Sequence, residues 1–203
     1  MATLFFEDTD MVTPLTEEQL LEVAGRYWRT DEQYYLRQER SPKAERLEAL
    51  WEQELPKMGR WNAFLETLER LLPGFEMGDG TAPTTAPCLR CIAYPPDDGT
   101  VPLVRWAVIG CVSILAPVYA IYAVRKKREH GGWRSPEAHF DPLPDSLILP
   151  AQVMGSAIEA EFGAGLLPWE MAHRPVPLFV EWKAPPETTL FHALFTASPE
   201  VIP

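Results

Sequence analysis

The sequence predicts an α+β fold in which N-terminal amphipathic helices pack on a mostly antiparallel sheet. Two observations carry this prediction. Apolar residues recur at helical spacing through the first 75 residues, and strand-like runs rich in Val, Ile and Tyr begin at residue 88. We expect a single domain over residues 1–203, with a helical part at 1–75 and a sheet-rich part at 88–203.

Start signals divide the helical part into three helices. Thr16 is a candidate N-cap and Gln19 completes a capping box, so a first helix is expected from there to about Gln38. Ser41-Pro42 is a second start, because proline suits the first helical position. A third apolar stripe covers residues 61–72.

The sheet-rich part alternates apolar runs with Gly/Pro-rich loops. We interpret residues 76–87 as a linker, and Pro95 to Thr100 as the loop of a hairpin. The remaining predicted elements are strands at 3–7, Cys88–Tyr94, Leu103–Ser113, Val118–Lys127 and Val176–Trp182, a helix from Pro150 to Phe162 closed by Gly163, and a last helix capped by Thr188 or Thr189.

One apolar run admits two interpretations. Trp106 to Val124 holds no charged residue and precedes the basic cluster Arg125–Arg128, as a membrane span would. Pro117 divides the same run into two strand-length pieces, which favours two buried strands. We expect strands and no membrane association, and the alternative is an accessory protein anchored through residues 106–124.

The net charge and the number of cysteines limit the classes of binding partner and the cellular compartment that we expect. The formal net charge is -11, which disfavours nucleic acid and favours a basic protein partner. Residues 1–80 hold 17 acidic and 9 basic residues, so most of the negative charge lies there. Three cysteines and an N-terminus without a signal-peptide pattern predict a cytoplasmic protein.

No group of residues has the spacing of a catalytic or metal site, so we expect no enzyme, no metal and no cofactor. Cys88 and Cys91 form one CxxC, but in a strand they face opposite ways, and replacing both with serine is expected to leave binding intact. Glu170 and His173 form a single Glu-x-x-His pair, whereas helical metal sites use several. The alternative is an enzyme whose site combines Glu170, His173 and a cysteine.

Aromatic residues provide the candidate binding site. Large rings with a polar atom are enriched at the energetic centres of protein interfaces, and acidic residues steer a basic partner. On a helix that continued past residue 30, the rings of Tyr27 and Trp28 would share a face with Asp31. The predicted partner-binding residues are Tyr27, Trp28, Asp31, Glu32, Tyr34 and Tyr35.

Three stretches resemble small immunity proteins encoded beside polymorphic toxins, of the kind found in myxobacteria. They are Leu115–Val124, Ile158–Gly163, and Pro177–Trp182 followed by Thr188–Phe195. The resemblance implies a cytosolic protein that binds and neutralises one cognate toxin domain. It implies no catalytic residues, and it identifies neither the toxin nor the oligomeric state.

Overall fold

A computed structural model of the protein describes residues 14–31, 41–96, 103–129 and 132–203. It confirms the predicted fold class, because helices accompany a mostly antiparallel sheet. The helices are α1 (Glu17–Ala24), α2 (Pro42–Glu54), α3 (Met58–Leu71), α4 (Asp145–Phe162), α5 (Trp169–Ala172) and α6 (Leu190–Leu194), with a 3₁₀ turn at Leu55–Lys57. The strands are β1 (Glu76–Asp79), β2 (Cys88–Tyr94), β3 (Val104–Ser113), β4 (Val118–Glu129), β5 (Gly132–Trp133), β6 (Glu137–His139) and β7 (Gly165–Leu166).

Strands β1 to β4 form a meander of antiparallel neighbours. The outer edge of β4 is shared by three short strands: β7 pairs in parallel near its start, and β6 and β5 pair antiparallel further along. The apolar run Trp106–Val124 therefore lies in β3, β4 and the turn between them, as the strand interpretation predicts. Within the described ranges, no helix combines the length and apolar character needed to cross a membrane.

Each face of the sheet is covered by a different layer. Alternation along β4 places Tyr122 on one face and Tyr119 on the other. The Tyr122 face packs against α1, α2 and the segment 167–197, whereas the Tyr119 face packs against α3 and α4.

The helix starts confirm the capping signals in the sequence. Thr16 and Gln19 form the capping box of α1, and the Ser41 hydroxyl accepts a hydrogen bond from the Ala44 amide at the start of α2. Thr189 caps α6 through a reciprocal pair of contacts with His192. At these three starts a side-chain acceptor satisfies an amide that the helix itself cannot pair, whereas α3, α4 and α5 begin without such a cap.

The first helix ends earlier than predicted. It stops at Ala24, with Gly25 as the C-cap, and does not continue to Gln38. Lys43 stabilises the next turn of the chain, because its ammonium donates to the carbonyl oxygens of Gly25 (2.6 Å) and Trp28 (2.9 Å). The second half of the predicted helix, residues 32–40, lies outside the described residues, as does the predicted strand at 3–7.

The predicted linker 76–87 contains an edge strand, β1, which pairs with β2 from Glu76 to Asp79. The Gly-rich sequence conceals it because the strand depends on close approach. A Cβ at Gly78 would lie 3.2 Å from the Tyr94 ring, so a side chain there would require this ring to shift by a few tenths of an ångström.

Two further predictions are wrong: the first in the start of a helix, and the second in the assignment of a strand. Helix α4 starts at Asp145, not at Pro150, and the buried Pro150 ring packs in the core inside the helix at the loss of one backbone hydrogen bond. Val176–Trp182 is not a strand of the sheet. Its alternate residues are buried, but its backbone pairs with Arg29 and within its own turn.

Candidate protein-binding groove

A groove of about 670 Å³ lies beside α2, and we call it the α2 groove. Four segments line it: residues 27–29 after α1, the first half of α2, the turn at Thr84 and Thr85, and residues 179–182. The groove therefore joins parts of the chain that are far apart in sequence. Its volume is in the range of sites that accept a side chain or a small molecule.

The segment 179–182 reaches the groove as a tight turn. Val180 and Lys183 exchange backbone hydrogen bonds of 3.0 and 2.8 Å, which leaves Glu181 and Trp182 at the tip. The Phe179 amide donates to the Arg29 carbonyl oxygen at 2.8 Å and ties the turn to the segment after α1. The indole of Trp182 is 60% exposed, although large aromatic side chains are usually covered.

Backbone strain converges on this groove. Thr84 has φ 67° and Glu181 has φ 52°, and in the described part of the chain these are the two non-glycine residues with positive φ. Both line the α2 groove. A left-handed backbone costs free energy for residues with a Cβ, and such residues concentrate at functional sites.

The strained turns are held in place by the core beneath them. The Ala86 amide donates to the Ala82 carbonyl oxygen at 3.0 Å, which closes the turn around Thr84. The buried indole of Trp51, on α2, donates to the Ala86 carbonyl oxygen at 3.0 Å. The turn therefore has a rigid base, as a preorganised binding surface requires.

Charged residues of both signs line the groove. Glu48 and Glu181 line it together with the cationic side chain of Arg29. Burial raises the pKa of Glu181 to about 7. The adjacent outer face of α2 exposes Glu45 and Glu52.

The predicted site residues are divided by the structure. Tyr27 is half-buried and lines the α2 groove, and Asp31 is exposed two residues beyond Arg29. Trp28 is 8% exposed and its indole nitrogen donates to the Ala193 carbonyl oxygen, so most of its ring is part of the core. The expectation that one helix carries these residues is wrong, because α1 ends at Ala24. Glu32, Tyr34 and Tyr35 lie outside the described residues.

Sequence reasoning missed the other side of the groove. Glu181 and Trp182 fall at the end of a predicted strand, with no glycine, asparagine or proline to mark a turn. Thr84 falls in the predicted linker, where a β-branched residue gives no sign of a left-handed backbone. Only the fold brings these residues next to Tyr27.

The cysteines face opposite sides of the sheet, as predicted. Cys88 packs in the core on the Tyr122 face and Cys91 in the core on the Tyr119 face. All three thiols are buried. A hydrogen bond with Cys111 and burial raise the pKa of Cys88, and burial raises the pKa of Cys91.

The candidate His173 and the nearby His192 both have structural contacts. His192 accepts from the Thr189 amide at 3.0 Å, and burial lowers its pKa to about 4. The His173 ring lies against the Trp169 ring. Across the described ranges, no three His, Cys, Asp or Glu residues are placed to hold a metal ion.

Comparison of the chain with protein-family models, with curated proteins and with solved structures found no match.

Proposed function

We propose that this protein is an immunity protein that binds a cognate, basic toxin domain in the cytoplasm of the producing cell and neutralises it. The proposal is one of binding, not catalysis. The α2 groove, with Tyr27 on one side and the Glu181–Trp182 turn on the other, is the proposed contact surface. The observation that supports this proposal is that two strained turns, at Thr84 and Glu181, and the exposed Trp182 line the same groove.

An exposed indole on a rigid turn suits the centre of a protein interface. Trp182 offers a large apolar area, and the Val180–Lys183 turn already restricts the backbone that carries it. Binding then requires little ordering of the backbone, and tryptophan is among the residues that contribute most when buried at an interface. Glu181 and Thr84 have positive φ in the two turns that line the groove, and such strained residues concentrate at functional sites, which favours a role in recognition.

Charge supports a basic partner. The chain carries a net charge of -11, and residues 1–80, which supply α1, α2 and Tyr27, hold 17 acidic and 9 basic residues. An acidic surface accelerates encounter with a basic domain and disfavours association with nucleic acid. Toxin domains that act on nucleic acid are themselves expected to be basic, so the negative charge of an acidic inhibitor would complement their positive charge.

The test measures affinity for the C-terminal domain of a toxin encoded beside this gene, by titration calorimetry at low salt. We expect Trp182→Ala to weaken binding by about 2 kcal/mol or more if the indole is central. Trp133→Ala is the matched control, because Trp133 is also exposed (45%) but lies on β5, away from the α2 groove. Equal losses for the two variants would refute the groove as the contact surface.

Charge reversal tests the electrostatic part separately. Asp31→Lys with Glu32→Lys removes attraction and adds repulsion, so the association rate should fall, and fall most at low salt. Circular dichroism must first show that the variant is folded. Failure of the wild type to bind any neighbouring gene product would refute the immunity function itself.

A further inference from the structure

A second groove, of about 530 Å³, lies between β4 and α4, and we call it the β4–α4 groove. Residues 140–143 and 166–172 close its other sides. The described residues that line it are all different from those that line the α2 groove, so a ligand bound here is independent of the proposed function. Its volume is that of a small-molecule site.

The walls of this groove are apolar and partly aromatic. The Phe140 and Trp169 rings stack with centroids 4.4 Å apart, and the Phe191 ring meets Phe140 edge-on at 4.9 Å. At the rim, Ile148 is 41% exposed and Leu166 is 56% exposed. An apolar ligand would remove this surface from water, which favours binding.

Gly155 fixes the floor. A Cβ at this position would lie 3.0 Å from the Tyr119 hydroxyl and 3.3 Å from Ile121 Cδ1, so glycine allows α4 to lie close to β4. One turn further along α4, Glu159 Oε1 accepts a hydrogen bond of 2.7 Å from the Tyr119 hydroxyl. Burial raises the pKa of Tyr119, so the phenol stays protonated and remains the donor.

The charged groups of the groove have one sign. Asp141 and Glu159 line it, and among the described residues that form its walls none is Lys, Arg or His. A carboxylate can accept several hydrogen bonds, so Glu159 can receive a second donor while it holds Tyr119. Aromatic faces also attract a cation at short range.

We infer that the β4–α4 groove binds a small molecule that combines an apolar chain or ring with one ammonium group. The apolar part lies against the Phe140–Trp169 stack and beneath Ile148, and the ammonium donates to Glu159. An anionic ligand of the same shape is disfavoured, because it would meet two carboxylates without a compensating cation among the described lining residues.

The test uses three probes of equal chain length, octylamine, 1-octanol and octanoate, and measures their affinities by ligand-observed NMR at neutral pH and below their aggregation limits. We expect octylamine to bind most tightly, 1-octanol less tightly and octanoate most weakly. Glu159→Gln keeps an acceptor for Tyr119 but removes the charge of an exposed carboxylate, so it should weaken octylamine binding by about threefold and leave octanol binding unchanged.

Two further variants keep the result interpretable. Glu187→Gln changes the net charge equally but lies outside the groove, so it should not alter octylamine binding. Ser156→Trp, at an exposed position that lines the groove, should block all three probes. The inference is overturned if no probe binds, if octanoate binds as tightly as octylamine, or if Glu159→Gln and Glu187→Gln act alike.

Discussion

The indole nitrogen of Trp28 donates a 2.6 Å hydrogen bond to the carbonyl oxygen of Ala193. The two residues are 165 positions apart, and the bond is buried. It joins the segment after α1 to helix α6, and both belong to the core on the Tyr122 face. An aromatic residue that the sequence marks as a binding residue thus has a clear role in the fold.

Trp28→Phe should lower the free energy of unfolding by about 1–3 kcal/mol, because it keeps most of the ring but leaves a buried carbonyl without its donor. Trp182→Phe, at the exposed turn, should change it by less than about 0.5 kcal/mol. Urea denaturation followed by circular dichroism measures both. Similar stabilities for the two variants would contradict the assignment of Trp28 to the core.

Thr84→Gly should raise the free energy of unfolding by about 0.5–1 kcal/mol, because glycine adopts positive φ without the penalty that threonine incurs. Thr85→Gly is the matched control. It replaces the neighbouring exposed threonine, which has no positive φ, and should lower stability by a similar amount. Thermal melts of the two variants should therefore shift in opposite directions.

Glu181 should make stability depend on pH. Burial raises its pKa from 4.5 to about 7, so between these values the folded state binds more protons than the unfolded state. The contribution of Glu181 to the free energy of unfolding is thus greatest below pH 4.5 and declines as the pH rises to 7. Glu181→Gln carries no such charge and should be more stable than the wild type above pH 7, by about 1 kcal/mol after allowance for solvent screening. The difference should vanish at about pH 4, as paired denaturation curves would show.

The three thiols should be unreactive in the folded protein. Burial denies access to a reagent, and the raised pKa of Cys88 and of Cys91 reduces the thiolate that would attack it. An aromatic disulfide reagent should titrate no thiol rapidly in native buffer and three in guanidinium. A fast-reacting thiol in the native protein would show that one cysteine is accessible.

Local signals in the sequence predict the parts of the fold that local physics decides. Thr16, Ser41 and Thr189 start helices because their side chains accept from amides that would otherwise be unpaired. The three long strands are predictable because their apolar residues, including both faces of β3, are buried. Strand β1 is not, because its stability comes from pairing with β2, which local composition does not show.

The candidate site is predictable only in part, for a related reason. Composition selects Tyr27 and Trp28, and both line the α2 groove, although most of the Trp28 ring belongs to the core. Composition does not select Glu181 and Thr84, because a positive φ in a residue with a Cβ is imposed by distant contacts. Trp182 falls within a predicted strand, and its exposure results from the Val180–Lys183 turn.

The division of the core between two layers has a consequence for synthesis on the ribosome. Strands β2 to β4, with α3 and α4, emerge before residues 176–197, which cover the Tyr122 face. Until that later segment is released, α1 has no α6 to pack against, and α1 and α2 are the described helices that can cover the Tyr122 face. The part of this face that residues 176–197 later bury is therefore exposed in the nascent chain, and this part is where chaperones would bind and where aggregation would start.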